Sequence, residues 1–284
     1  MLCLDFHLNL LEAWESLRGF LNSAFISAFL SALAGAGLGV WGAQRLAERA
    51  ARRRELLDAL RQANAMIVLA ATISNQALSV KKQHISPLST TYFTERKDAE
   101  ATNNVLLSGG TPKGVVHFKA EMVHVTPLTV PIEALKSLTY SAQLMPGRAL
   151  ALVAMVEQSL TELSHAIGVR SEQIELFKNQ KMSMELFVQT FFGLKRRDGN
   201  TDSLYHDSMV AITQYTDDVA FFAAELADEL QAHAARVREK LLKLAKAKDI
   251  SKVSTADFSG PRVSGLMPPR ENYESWLSGF KSQD

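Results

Sequence analysis

The clearest pattern in the chain is an uncharged, mostly apolar run between Arg18 and Arg45. A helix of about 20 apolar residues crosses the hydrocarbon of a bilayer, and this run has the necessary length. A helix buried in a protein core is normally shorter and carries a polar face. The pattern therefore predicts a single transmembrane helix over residues 20–43.

Small residues recur on one face of this predicted helix. Alanines occupy every fourth position from Ala24 to Ala36, and a neighbouring row consists of Ser23, Ser27, Ser31, Gly35 and Gly39. Positions four apart share a helix face, and faces of small residues let membrane helices approach closely. We expect transmembrane packing along the serine and glycine row, between copies of the chain or with a partner helix. A second interpretation is that Ala, Ser and Gly are simply common in membrane helices.

The charges that flank the run indicate its orientation. Asp5, Glu12 and Glu15 precede it, and the basic set that follows includes Arg45, Arg49, Arg52, Arg53 and Arg54. Basic residues stay on the cytoplasmic side, where they meet anionic lipid headgroups. We therefore expect residues 1–19 outside and the remaining chain in the cytoplasm, anchored in the inner (cytoplasmic) membrane. A signal peptide cleaved near Ala34 is the competing interpretation, but it requires a basic N-terminal region.

Helical periodicity continues beyond the apolar run. Apolar residues from Leu46 to Leu78 recur at near-heptad spacing, which Arg53 and Asn64 interrupt, and the first proline is Pro87. This spacing is typical of a coiled coil and predicts a helical stalk over residues 44–85.

The stalk is expected to lead into a cytoplasmic helical bundle over residues 86–248. Apolar residues step by three and four from Ala149 to Ile167, with Gly168 placed as a C-terminal cap. Ser171 is expected to begin a further helix, and the last helix is expected over residues 202–247. The composition of residues 249–284 predicts a flexible tail. Tyr273, Trp276, Leu277 and Phe280 are spaced like one face of a short helix, which would dock on a partner or on the chain's own bundle.

One segment has the two-residue period of a β-strand. Val116, Phe118, Ala120 and Met122 alternate with polar residues, and Asn104–Leu107 is the candidate hairpin partner. The predicted fold class is therefore mainly α. A single N-terminal transmembrane helix continues into a long stalk and an antiparallel bundle, with a small β-hairpin-like insert at about 104–130.

Composition narrows the function classes. The net charge is +1, and acidic residues alternate with the arginines, which disfavours nucleic acid as a partner. Cys3 is the only cysteine, so an internal disulfide and a cysteine-rich zinc site are excluded.

Candidate catalytic or metal-binding pairs are weak. Glu162-x-x-His165 has the spacing of half a dimetal site, but the second half is missing. Asp217-Asp218 is expected on an outer, solvated face of its helix. Glu229 and His233 are four apart, as zinc ligands on a helix can be, but a third ligand cannot be named. We therefore expect no catalytic residues, no cofactor and no metal.

The leading hypothesis is a non-enzymatic, membrane-anchored assembly or sensor protein, of bacterial type. It would form a homo-oligomer through its transmembrane helix and receive a cytoplasmic protein or ligand through its bundle. The alternative is a membrane-disrupting effector, of toxin or antiviral abortive type, that is triggered through the cytoplasmic domain. A membrane-tethered hydrolase or metalloenzyme is the third hypothesis.

Overall fold

The computed structural model describes residues 14–15, 18–19, 24–111, 117–142, 145–244 and 250–279. Over these residues the chain is mainly helical, which confirms the mainly α part of the predicted fold. The helices are α1 (Ala24–Val80), α2 (Ser86–Leu107), α3 (Ile132–Ser141), α4 (Gly147–Asn179), α5 (Met184–Phe192), α6 (Leu204–Leu244), α7 (Pro261–Ser264) and α8 (Glu274–Gly279). A π-helical turn, Lys81–Ile85, joins α1 to α2, and a 3₁₀ turn, Arg270–Tyr273, precedes α8.

Helix α6 is the centre of the fold, because it packs against both α1 and α4. The hydroxyl of Ser74 on α1 donates to the carbonyl of Ala220 on α6 (2.9 Å). Lys81, which follows α1, pairs with Asp217, which precedes Ala220 in α6, so the two helices run antiparallel. Helix α3 contacts both α1 and α4. We call α1 from Leu56 onward, together with α3, α4 and α6, the bundle.

The helical path does not end at Pro87. Proline lacks the N–H of a regular helix, and its ring collides with the carbonyl four residues earlier. The π-helical turn just before it widens the backbone, and the N–H of Ser86 donates to the carbonyl five residues back, at Lys81. Pro87 then lies in the first turn of α2, where proline is tolerated. The helix expected to stop near this residue therefore continues to Leu107.

The predicted β-hairpin is wrong: the described residues contain no strand, and the only β-bridge among them joins Lys195 to Thr201. Asn104–Leu107 is the last turn of α2, and Val116 lies outside the described residues. Residues 117–130 form neither helix nor strand. Phe118, Ala120 and Met122 are half-buried and pack against a second apolar cluster. The alternation therefore reflects side chains that pack on one side of an irregular segment, without a neighbouring strand.

A buried arginine holds this irregular segment in place. Arg170 of α4 is only 1% exposed. Its guanidinium donates to the carbonyls of Val123 (2.6 Å) and Glu121 (3.1 Å) and contacts the sulfur of Met209 (3.2 Å). Helix α4 also passes straight through Gly168, where a cap was expected, and ends at Asn179.

The tail expected to be flexible packs along the bundle over residues 250–279. We call these residues the strap. The strap runs antiparallel to α6, because Ser251 bonds to Arg238 near the helix end whereas Tyr273 bonds to Asp218. Nine apolar side chains of the strap pack against the main apolar cluster of the bundle. They are Ile250, Val253, Ala256, Phe258, Val263, Leu266, Met267, Trp276 and Leu277.

Candidate functional site

The first half of α1 projects away from the bundle. Residues 24–55 extend roughly 48 Å at about 1.5 Å per residue, and their described side chains lie exposed. Leu33, Leu38, Val40 and Trp41 are 54–68% exposed, whereas Leu56 is 5% exposed and marks the start of the bundle. Large apolar side chains thus lie without cover along this part of the helix.

One helical stretch of the described residues, Ser31–Leu107, is long and apolar enough to cross a membrane. Its part from Leu56 onward is packed within the protein. The apolar stretch that meets this criterion is itself 39% buried, whereas α1 before Leu56 has no buried residue among those described. Residues 24–43 of the predicted transmembrane helix are therefore helical, uncharged and outside the bundle core.

The serine and glycine row lies partly within the described structure. Ser23 lies outside the described residues, and Ser27 has helical backbone. Ser31, Gly35 and Gly39 follow on α1 at four-residue intervals and therefore share one face. A Cβ atom built on Gly35 or Gly39 would meet nothing within 4 Å. The Gly35 and Gly39 positions therefore leave room for the close approach of a second helix.

The five candidate lipid-contacting arginines all lie on α1 between the apolar stretch and the bundle. Arg45, Arg49, Arg52, Arg53 and Arg54 are exposed. The guanidinium of Arg45 lies 4.4 Å from the ring centroid of Trp41, a cation–π contact. The stalk expected over residues 44–85 thus divides into an exposed, basic part before Leu56 and a packed part after it. Leu60, Ile67 and Leu78 of the predicted seam are buried, whereas Leu46 and Ala50 are exposed.

A second candidate site is the groove that holds the strap. We define it by Asn64 and Lys81 at the α1 side and by four residues of α6, Phe221, Phe222, Glu225 and Gln231. The side-chain amide of Asn64 donates to the carbonyl of Lys252 (2.9 Å) and accepts from the N–H of Ser254 (2.9 Å). The side-chain amide of Gln231 donates to the carbonyl of Ala256 (3.3 Å) and accepts from the N–H of the same residue (3.0 Å).

The far end of the groove combines a buried carboxylate with an aromatic surface. The side chain of Glu225 is 8% exposed and accepts from Arg148 of α4 (2.9 Å) and from Arg270 of the strap (3.1 Å). Tyr273 stacks on Phe221 with ring centroids 3.8 Å apart, and Trp276 meets the edge of Phe222 at 5.1 Å.

Lys81 connects the π-helical turn to both the strap and α6. Its ammonium group donates to the carbonyl of Leu266 (2.6 Å) and pairs with Asp217 (2.6 Å). The neighbouring Asp218 accepts from the hydroxyl of Tyr273 (2.8 Å). Burial raises the pKa of Asp218, an effect that the Tyr273 hydrogen bond opposes and the charge of Asp217 reinforces. The expectation of two solvated aspartates is therefore wrong, because both are half-buried contacts of the strap junction.

The other candidate pairs are not assembled into a metal site. His165 is exposed and Glu162 is half-buried on α4. Glu229 pairs with Arg148 (3.6 Å) and Arg236 (3.8 Å) instead of pointing with His233 at a shared ligand. Within the described ranges, three or more His, Cys, Asp or Glu residues never come together in a metal-binding group.

Comparisons with models of known protein families, with curated proteins and with solved structures find no match for this chain. Neither fold nor function is therefore carried over from a relative. The chemistry of the exposed half of α1 and of the strap groove is the basis for a functional proposal.

Proposed function

We propose that this chain is a non-enzymatic, single-pass membrane protein that acts as an assembly or sensor module. The observation that carries the proposal is the division of α1 at Leu56. Before this residue the apolar side chains of one continuous helix are uncovered, and after it the same helix is part of the bundle core. Such an arrangement ties a folded domain directly to a membrane span, without an intervening linker.

In this proposal the apolar stretch crosses the inner membrane with its N-terminal side outside. The arginines from Arg45 to Arg54 lie at the inner headgroups, where each contributes about 1 kcal/mol of attraction to an anionic leaflet. The strap end of the bundle and its partner are then cytoplasmic. Copies of the chain associate through the row that contains Ser31, Gly35 and Gly39, since small residues allow close helix contact.

Membrane fractionation with carbonate extraction tests the anchor. The full chain is expected in the membrane pellet, and Leu33→Arg combined with Leu38→Arg is expected to release it, since arginine in mid-bilayer costs about 2.5–3.5 kcal/mol. The matched control is Val68→Arg, which changes an exposed apolar residue of the same helix within the bundle. An extractable wild-type chain would rule out the membrane anchor.

Labelling of Cys3 tests the orientation. In intact cells an impermeant maleimide is expected to label this residue, which is the only thiol in the chain. Labelling that requires lysed cells would place the N-terminal residues in the cytoplasm and reverse the proposed orientation.

The same row supports a second candidate function, a membrane-disrupting effector. Its hydroxyl-bearing serines and uncovered glycines are suited to line a pore as well as to join helices. A membrane-potential dye in cells that express the chain separates the two functions. A stable potential favours the assembly or sensor module, and depolarisation that Gly35→Leu abolishes favours the effector.

A further inference from the structure

The groove beneath the strap has the features of a peptide-binding surface. We propose that it is the site at which this protein binds a partner, and that the strap occupies it in cis as a competitor. The partner is a peptide of the strap's own chemistry, an extended apolar stretch followed by an arginine and two aromatic residues. This inference rests on the proposed function, because it names the surface through which the sensor receives its partner.

Two side-chain amides of the groove recognise backbone. Asn64 bonds the carbonyl of Lys252 and the N–H of Ser254, and Gln231 bonds both backbone groups of Ala256. A side-chain amide offers one acceptor and a donor side, as the peptide group of a neighbouring strand does. These four hydrogen bonds do not depend on the side chains of the occupant. This half of the groove therefore accepts any extended chain whose apolar residues fit.

Specificity lies in the other half of the groove. Glu225 presents a buried carboxylate to Arg270, and Phe221 and Phe222 present rings to Tyr273 and Trp276. Binding energy in protein interfaces concentrates on arginine and aromatic anchors of this kind. The spacing Arg270-x-x-Tyr273-x-x-Trp276 is therefore the feature that a partner peptide must share.

The strap has features of a segment that a competing peptide can displace. Its helices α7 and α8 are only 4 and 6 residues long, and the side chain of Arg270 is 61% exposed although its partner carboxylate is buried. The helices beneath it keep their own backbone hydrogen bonds when the strap leaves. A tethered segment has an effective concentration of about 1 mM. An equally well-matched free peptide therefore competes only near millimolar concentration until the strap is weakened.

The test uses the full chain in detergent micelles and a fluorescein-labelled synthetic peptide of residues 250–279, with binding followed by fluorescence anisotropy. Wild-type protein is expected to show little binding below about 1 mM peptide. The variant that combines Arg270→Ala with Tyr273→Ala weakens the strap but leaves the groove intact. It is expected to bind the peptide at least about tenfold more tightly, since loss of an arginine or aromatic anchor typically weakens an interface by that factor or more.

Matched controls distinguish the groove from a general loosening of the protein. Arg197→Ala with Tyr140→Ala removes the same residue types at exposed positions elsewhere and is expected to bind like wild type. A peptide that itself carries Arg270→Ala and Tyr273→Ala is expected to bind the weakened variant at least about tenfold less tightly. If the double variant does not fold, the single variant Arg270→Ala takes its place.

Two results would overturn the proposal. One is a folded, weakened variant that binds the peptide no better than wild type. The other is co-purification of differently tagged copies that persists in Gly35→Leu but is lost when Arg270→Ala and Tyr273→Ala are added, because the groove would then hold the strap of a second copy. The measurement in micelles does not depend on the orientation or self-association of the chain in a bilayer. Peptide binding can therefore be absent while the membrane anchor is confirmed, and it can be present while the membrane anchor is ruled out.

Discussion

The rings of Tyr273 and Phe221 stack with centroids 3.8 Å apart and planes within 8° of parallel. The two residues are 52 positions apart in the chain, one in the strap and one in α6. The stack, together with the hydrogen bond from Tyr273 to Asp218 (2.8 Å), fixes the C-terminal end of the strap. Loss of this tyrosine is therefore expected to loosen the strap before it affects the bundle.

Tyr273→Ala is expected to increase amide hydrogen exchange in residues 264–279 by at least about tenfold, because removal of a buried aromatic ring costs roughly 3–5 kcal/mol. Exchange in α4 is expected to remain at the wild-type rate. Tyr140→Ala, at a tyrosine 56% exposed, is the control and is expected to change neither region. Equal acceleration in both regions would show that the strap and the bundle open as one unit.

Arg170→Leu is expected to lower the free energy of unfolding by about 3–5 kcal/mol, because it removes the two hydrogen bonds from a charged donor to the carbonyls of Glu121 and Val123. Arg170→Lys is expected to recover only part of this loss, since an ammonium group lacks the planar fork of a guanidinium. Urea unfolding in micelles measures both changes. Arg197→Leu, at an exposed arginine, is expected to have a small effect, and an equally small effect at position 170 would contradict the prediction.

His233 is expected to make stability depend on pH. Burial, and then the charges of Arg236 and Lys240, hold its pKa below the ordinary value of 6.5. As pH falls below 6.5, the unfolded chain binds a proton at His233 before the folded chain does. The folded state is therefore progressively destabilised from this pH down to the lowered pKa of His233 in the folded chain. His233→Gln is expected to reduce the pH dependence of the urea unfolding midpoint between about pH 7 and pH 5. An unchanged pH slope in this variant would exclude His233 as the source.

Gly35→Leu and Gly39→Leu are each expected to weaken association of the chain in membranes by about 1–2 kcal/mol, or roughly five- to thirtyfold. A bulky side chain on the small-residue face prevents close helix contact while it leaves insertion unchanged. Gly37→Leu adds the same side chain on the opposite face and serves as the control. Cross-linking of full-length protein in membranes measures the dimer. If Gly35→Leu and Gly39→Leu give the same yield of dimer as Gly37→Leu and wild type, the row is not part of the interface.

Periodicity predicted much of the bundle because burial repeats along a helix. Leu60, Ile67 and Leu78 lie in the core as their spacing indicated. Leu46 and Ala50 continue the same spacing and are nevertheless exposed. A seam shows which face of a helix could be covered, but the position of the partner helix decides how far the cover extends, and the described part of α6 runs to Leu244.

The strap groove could not be predicted in the same way. Asn64 was visible only as a polar interruption of an apolar seam, and its role depends on backbone groups 188 and 190 positions away. Arg170 has the same character, because its partners are the carbonyls of an irregular segment on another part of the chain. Single-sequence patterns report local faces, whereas these contacts are set by long-range packing.

Helix α1 contains neither glycine nor proline from Ala43 to Val80, and sharp kinks arise almost only at such residues or at π turns. The first interruption after the uncharged stretch is the turn that begins at Lys81. Between these points α1 is one uninterrupted helix, and Asn64, which hydrogen-bonds the strap, lies on it. In the membrane arrangement that we propose, the groove is therefore connected to the span by continuous helix, with no flexible linker between them.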